Sequence, residues 1–159
     1  MVRATIGLGA NLGEPMATLD AACAALAALP DTRWLRRSPW YRSAPVEATG
    51  PDFVNAVVEL DTLLAPLALL DALQTIELQH GRERPYRNAP RTLDLDLLLY
   101  GDQHLHTERL TLPHPRVTER AFVLLPLLDL QPDLVWPGIA DLAALAQRLA
   151  REQGIERLP

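Results

Sequence analysis

The chain has 159 residues, 48% apolar and 22% charged, which suits one domain burying roughly 70% of its unfolded surface. A formal net charge of −5 argues against general nucleic-acid binding, since neutralising phosphates favours a basic surface. The chain contains no lysine, and all 15 of its cationic side chains in the Lys/Arg class are arginine, so a phosphate clamp here would use the bidentate guanidinium fork.

Met1-Val2-Arg3 leads directly into Ala4–Leu8, a short apolar run rich in β-formers that reads as a strand. No apolar h-region of signal-peptide length is present, and no run approaches the ~20 residues needed to span a bilayer. A soluble cytoplasmic protein is therefore expected, with no membrane partner. Gly7-Leu8-Gly9-Ala10-Asn11-Leu12-Gly13 follows. It departs from a dinucleotide-binding turn by one position at the third glycine, and no P-loop lysine comes after it. A glycine-rich bend from strand to helix is the simpler reading.

Pro15 suits the first turn of a helix. Met16, Leu19, Cys23, Leu26 and Leu29 mark one face, and Pro30 ends it. Cys23, the lone cysteine, excludes an intramolecular disulfide and reads as a packed thiol. Arg33–Tyr41 looks like one strand, at an edge or bulged because of Pro39, and Ser43–Asp52 like a loop.

Phe53–Asp61 alternates at period two. Val54, Ala56, Val58 and Leu60 form one face, and Phe53, Asn55, Val57, Glu59 and Asp61 form a more polar one. Phe53 and Asn55 share that second face. A ring beside an amide suits a planar heterocycle, and a half-buried Phe with a solvated Asn is the plainer alternative. Pro66 opens a second helix, with Leu67, Leu70, Leu73 and Ile76 inward and Gly81 as its stop. Gln74 and Glu77 share a neighbouring stripe, which on most helices is a solvated flank.

Gly81–Tyr100 is the densest stretch. Arg82, Arg84, Arg87 and Arg91 lead into a strand over Leu93–Tyr100 carrying Asp94 and Asp96. Residues two apart on a strand point to one face, about 6.6 Å apart. At an effective dielectric near 20, such carboxylates repel by roughly 2–3 kcal/mol. Either the strand faces water or the pair holds cations. Two magnesium ions bridged by this pair could clamp a phosphoryl transfer while arginines neutralise the phosphates.

Further on, His104 and His106 read as exposed residues of a hairpin, because no third metal ligand is spaced near them. Thr118–Leu128 reads as a short helix ended or kinked at Pro126, and Asp141–Gln153 as an amphipathic helix. Strand, helix, strand, twice over, with two helices appended, implies one α+β domain over 1–159. Its expected architecture is ferredoxin-like, a split β-α-β antiparallel sheet with helices packed on it.

These motifs, in this order, resemble the 6-hydroxymethyl-7,8-dihydropterin pyrophosphokinase family. The resemblance rests on the Gly7–Gly13 string, Pro51-Asp52-Phe53-Val54-Asn55-Ala56, Glu77-Leu78-Gln79-His80-Gly81-Arg82, Pro113-His114-Pro115 and Arg120-Ala121-Phe122. Its most specific element is Ala89-Pro90-Arg91-Thr92-Leu93-Asp94-Leu95-Asp96-Leu97-Leu98. It implies transfer of pyrophosphate from ATP to 6-hydroxymethyl-7,8-dihydropterin in folate biosynthesis, releasing AMP. Asp94 and Asp96 would bind two magnesium ions, with Arg82 and Arg91 on the phosphates as further catalytic residues. Phe53 and Phe122 would sandwich the pterin, Asn55 would read its edge, and Ser43, Ala44 and Val46 would add contacts. Gln74, Glu77, Leu97, Arg109, Thr111, His114 and Arg120 would line the ATP site with the two arginines. A monomer working on small molecules is implied. Arg87-Asn88-Ala89-Pro90 departs from the family, which usually carries a tryptophan after a basic residue there, and Pro85 replaces a position often basic. From the residues alone, a metal-dependent nucleotidyltransferase or cyclase releasing pyrophosphate, or a non-enzymatic regulatory module, would also fit the sheet.

Overall fold

A computed structural model describes residues 1–45, 50–80 and 93–159. The elements run β1 (Val2–Ala10), α1 (Pro15–Ala27), β2 (Thr32–Arg37), β3 (Tyr41–Ser43), β4 (Phe53–Thr62), α2 (Pro66–His80) and β5 (Asp94–Tyr100). After these come β6 (Leu105–His106), β7 (Thr111–Leu112), a 3-10 turn (Val117–Glu119), α3 (Ala121–Leu130), α4 (Leu142–Gln153) and β8 (Ile155–Arg157). The main sheet has the order β5-β1-β4-β3-β8, with β2 also on β4, and every pairing is antiparallel. Two split β-α-β units interleaved in this way give the expected ferredoxin-like sheet.

Helices cover both faces. Leu19, Ala22 and Leu26 of α1 and Leu69, Leu73 and Ile76 of α2 pack on Ile6, Leu8, Val58 and Leu97. On the opposite face, Val123, Leu124 and Leu127 of α3 and Leu142, Ala146 and Leu149 of α4 pack on Val57 and Leu98. β4 is consequently buried on both sides. Its supposedly polar face is roofed by α3 and α4, so Asn55 is 3% exposed rather than solvated.

Burying Glu59 there requires compensation, because an unpaired carboxylate in the interior is costly. Arg36 Nε donates to it at 2.5 Å and Gln131 Nε2 at 2.7 Å. Arg36 Nη2 also donates to the Leu130 carbonyl at 2.5 Å. Tyr41 donates its hydroxyl proton to Asp129. These bonds tie the C-terminal end of α3 to β2, β3 and β4.

Several elements differ from expectation. Gly7 and Gly9 lie inside β1, which runs on to Ala10, and only Gly13 takes the left-handed conformation of a turn, at φ +64. The expected strand 33–41 is two strands parted at Ser38–Trp40. At Ser38 one ladder bond survives, its N–H donating to the Val57 carbonyl at 2.8 Å, while its hydroxyl accepts from Val57 N–H at 2.9 Å in place of a backbone carbonyl. α3 starts at Ala121 and continues through Pro126 to Leu130. Met16 and Leu67 are exposed, and Leu69 rather than Leu67 is buried on α2. β8 is an additional strand. Cys23 is half-buried against the core, with burial pushing its thiol up to about 11. His104 and His106 are exposed beside the β6–β7 hairpin, as expected.

Candidate active site

β1 lies between β4 and β5, and its register sets the site. Gly9 is opposite Asn55 on one side and Asp94 on the other, and Gly7 is opposite Val57 and Asp96. Paired residues share a face, so two glycines form a floor between an amide and two carboxylates. The absence of side chains is what opens the space. A Cβ on Gly9 would sit 2.9 Å from Asn55 Oδ1.

The resulting cavity has a volume of about 290 Å³. Its lining includes Gly9, Asn55, Phe53, Phe122, Asp94 and Asp96, together with Ser43, Ala44 and Arg120. Asn55 is fixed by donating Nδ2 to Ser43 Oγ at 2.7 Å. Phe53 begins β4 and Phe122 lies in the first turn of α3. The Arg120 guanidinium stands 5.5 Å from the Phe122 ring centre, within cation–π range.

β5 aims its aspartates as the spacing predicts. Leu95 and Leu97 enter the α1/α2 core, while Asp94 and Asp96 are half-buried on the α3 side. Leu98 is the extra residue of a bulge opposite Thr5 and Ile6. It joins the α3/α4 core and returns Tyr100 to the α1/α2 core. Leu98 is thus the next residue on the face of Asp94 and Asp96, and it ends the carboxylate row after two members.

A second cavity, of about 250 Å³, lies on the β6–β7 side and is lined by Asp96, Leu97, Arg109, Thr111, His114 and their neighbours. Asp96 belongs to both cavities. Arg109 donates to Asp71 Oδ1 at 2.5 Å and to Gln74 Oε1 at 3.4 Å. His114 Nδ1 accepts from Arg116 N–H at 3.1 Å, which leaves the ring proton on Nε2 in the neutral form. Burial holds this imidazole below its usual range, against the pull of Asp96 and with help from Arg120 and Arg116.

The first cavity therefore gathers Ser43, Ala44, Phe53, Asn55, Asp94, Asp96, Arg120 and Phe122, and the second gathers Leu97, Arg109, Thr111 and His114. Gln74 stands behind Arg109. Glu77 is not a solvated flank residue: it is buried, and its Oε2 accepts from Leu95 N–H at 2.9 Å, steadying the start of β5. Val46, Arg82 and Arg91 lie outside the described residues, as do Pro85 and the Arg87–Pro90 departure. Gly7 and Gly9 also line the first cavity, although their glycine-rich string reads in sequence as a bend. Their spacing of two within a strand was the available signal.

The profile of the family described as 7,8-dihydro-6-hydroxymethylpterin-pyrophosphokinase matches residues 5–132. The chain belongs to that family. It is 52% identical over 158 residues to the 2-amino-4-hydroxy-6-hydroxymethyldihydropteridine pyrophosphokinase of Pseudomonas aeruginosa, covering 99% of this chain and 97% of the relative. The enzyme of that name from Haemophilus influenzae is 42% identical over 160 residues, with both chains covered in full. Among solved structures, a Plasmodium falciparum HPPK-DHPS chain superposes with a TM-score of 0.75 at 15% identity, covering 95% of this chain. This chain spans 46% of that larger one. As a hydroxymethylpterin pyrophosphokinase, the protein transfers a pyrophosphoryl group from ATP to hydroxymethyldihydropterin in folate biosynthesis. No helix among the described residues is long and apolar enough to cross a membrane.

Proposed function

We propose that the pterin occupies the glycine-floored cavity, that ATP occupies the cavity beside Arg109 and His114, and that transfer takes place at Asp94 and Asp96. The observation carrying this reading is that Asp96 faces both cavities, so one carboxylate lies where two substrates must meet. Phe53 and Phe122 stack on the ring faces, and Asn55 exchanges hydrogen bonds with the ring edge. Its Nδ2 bond to Ser43 presents Oδ1 inward.

The donor set fits magnesium. Two half-buried aspartates supply hard oxygens, and no group of three or more His, Cys, Asp or Glu side chains stands ready as a metal cage among the described residues. Phosphate oxygens and water would complete the coordination, the usual arrangement for this ion. Two ions held by Asp94 and Asp96 would polarise the β-phosphate and lower the pKa of the hydroxymethyl group.

The hydroxymethyl oxygen attacks the β-phosphorus in line. Its bond to the oxygen shared with the α-phosphorus breaks, AMP leaves, and the alcohol proton is lost to water. Arg120 in the cavity lining supplies positive charge, and Arg82 and Arg91 would join it on the phosphates. Arg109 and Thr111 hold the nucleotide, as does His114 through its Nε2 proton, and Gln74 orients Arg109. Glu77 supports the site through Leu95. On this reading the enzyme is a single pyrophosphokinase domain over 1–159 and a cytoplasmic monomer without a nucleic-acid partner, in keeping with its net charge of −5.

Asp94→Asn and Asp96→Asn test the assignment by AMP release with ATP, magnesium and hydroxymethyldihydropterin. Each variant is expected to lose at least about 1000-fold in turnover, the scale of losing a main electrostatic contact in a transition state. For Asp96→Asn, Tm should hold or rise, because the repulsion between the two carboxylates is relieved. EDTA should stop the wild-type reaction and magnesium restore it. Near-normal turnover in either variant would remove the metal assignment.

A further inference from the structure

α3 opens without a cap of its own. Arg120 is its N-cap residue and makes no side-chain capping bond, so the first N–H groups need partners from elsewhere. The partner comes from the end of α4. Gln153 Oε1 accepts from Ala121 N–H at 2.8 Å, and its Nε2 donates to the Glu119 carbonyl at 2.8 Å. One amide thus holds the backbone on both sides of Arg120, immediately before Phe122.

This anchor matters because Phe122, although packed against the α3/α4 core, also borders open space. It lines both the glycine-floored cavity and a third hollow of about 310 Å³, the latter lined in part by Ala44, Glu152, Gln153 and Ile155. Such a ring takes its position from its backbone as well as from the core beneath it. The chain then turns at Gly154, at φ +65, and Ile155 pairs with Ser43 on β3. Ser43 is the residue that fixes Asn55. Gln153 and Ile155, two residues apart, therefore touch opposite walls of one cavity. Both lie beyond residue 132, where the family match stops.

We infer that Gln153 is a positioning residue for the pterin, setting the Arg120–Phe122 wall through its paired amide bonds while β8 braces the Ser43 wall. The inference rests on the pterin site proposed above. Gln153→Met keeps the length and removes both bonds, whereas Gln153→Glu keeps an acceptor for Ala121 N–H and loses the donor. Both bonds lie near solvent and compete with water, so the expected effect is moderate.

Binding of 6-hydroxymethylpterin is measured by fluorescence with magnesium and a non-hydrolysable ATP analogue present, together with both KM values and Tm. Gln153→Met is expected to weaken pterin binding about 3- to 10-fold, and Gln153→Glu less, with the KM for ATP unchanged. Arg151→Ala, on the exposed side of α4, serves as the neutral control. Unchanged pterin affinity in Gln153→Met overturns the inference, as does a fall in Tm and active fraction that leaves the pterin KM unmoved. If Gln153→Met does not fold, the same criteria apply to Gln153→Glu. Phe122→Ala separates the two levels. If it weakens pterin binding and the Gln153 variants do not, only this inference falls. If it too binds pterin normally, the site itself is misassigned.

Discussion

Gly9→Ala is the sharpest test of how the cavity is built. The added methyl would stand 2.9 Å from Asn55 Oδ1 and 3.8 Å from Phe53 Cδ1, and the first distance is too short for any carbon–oxygen contact. Asn55 cannot yield freely, being 3% exposed and bonded to Ser43 Oγ at 2.7 Å. Moving it breaks the buried hydrogen bond from Asn55 Nδ2 to Ser43 Oγ at a cost of about 1–3 kcal/mol, and overpacking costs on a similar scale. Against this, alanine gains roughly 0.5–1 kcal/mol over glycine in a strand. Those terms bear on stability; for the proposed pterin subsite, displacing Asn55 so that its hydrogen bonds to the ring are lost, at about 2 kcal/mol, corresponds to roughly 30-fold weaker pterin binding, read as a raised KM. The KM for ATP should stay within about twofold, because the cavity proposed for the nucleotide does not include Gly9. Steady-state AMP release with each substrate varied in turn measures both. Gly7→Ala is the comparison, since its methyl would meet Leu98 Cδ1 at an ordinary 3.4 Å. A Gly9→Ala enzyme with wild-type KM for pterin would refute the argument that the glycine floor and Asn55 form the subsite.

Two further outcomes follow from buried polar groups. Glu77→Ala takes the carboxylate from Leu95 N–H and is expected to cost about 1–3 kcal/mol of stability, read as a lowered urea midpoint. An unchanged midpoint would deny Glu77 its part in holding β5. Cys23, raised to about 11, should react with iodoacetamide at pH 8 about 10- to 100-fold more slowly than a free thiol. Because the folded value lies above the ordinary 9.0, the unfolded chain loses the thiol proton first as pH rises. Stability from this group is thus full below pH 9 and declines towards pH 11. A Cys23→Ser variant should lack that decline, and an identical alkaline profile would refute the assignment.

Much of the sheet was legible in the sequence because its signals are local. Alternation in 53–61, Pro15 and Pro66 at helix starts, and the Asp94/Asp96 spacing each depend on a few adjacent residues. What escaped depends on distant partners. Glu77 resembles a surface glutamate until α2 is laid beside β5 and a backbone N–H 18 residues away needs an acceptor. Asn55 looks solvated until α3 and α4 cover its face. Gly7 and Gly9 look like a turn because glycine marks both bends and bare strand faces, and only the register with β4 and β5 separates the two. β8 is three residues long and stands only because β3 offers an edge. Within the site, the pairing of Phe122 with Phe53 came from family resemblance, since 69 residues of chain separate the two rings.

Asp96 carries a thermodynamic consequence of facing two cavities. Whatever occupies one of them changes the electrostatic potential felt in the other. If a cation arriving with the nucleotide offsets the Asp96 charge, a neutral pterin meets a less strongly hydrated wall and loses less in displacing water from it. Linkage then requires reciprocity: the factor by which nucleotide tightens pterin is the factor by which pterin tightens nucleotide. On the proposed assignment of the two cavities, the two affinities cannot evolve independently while they share this carboxylate.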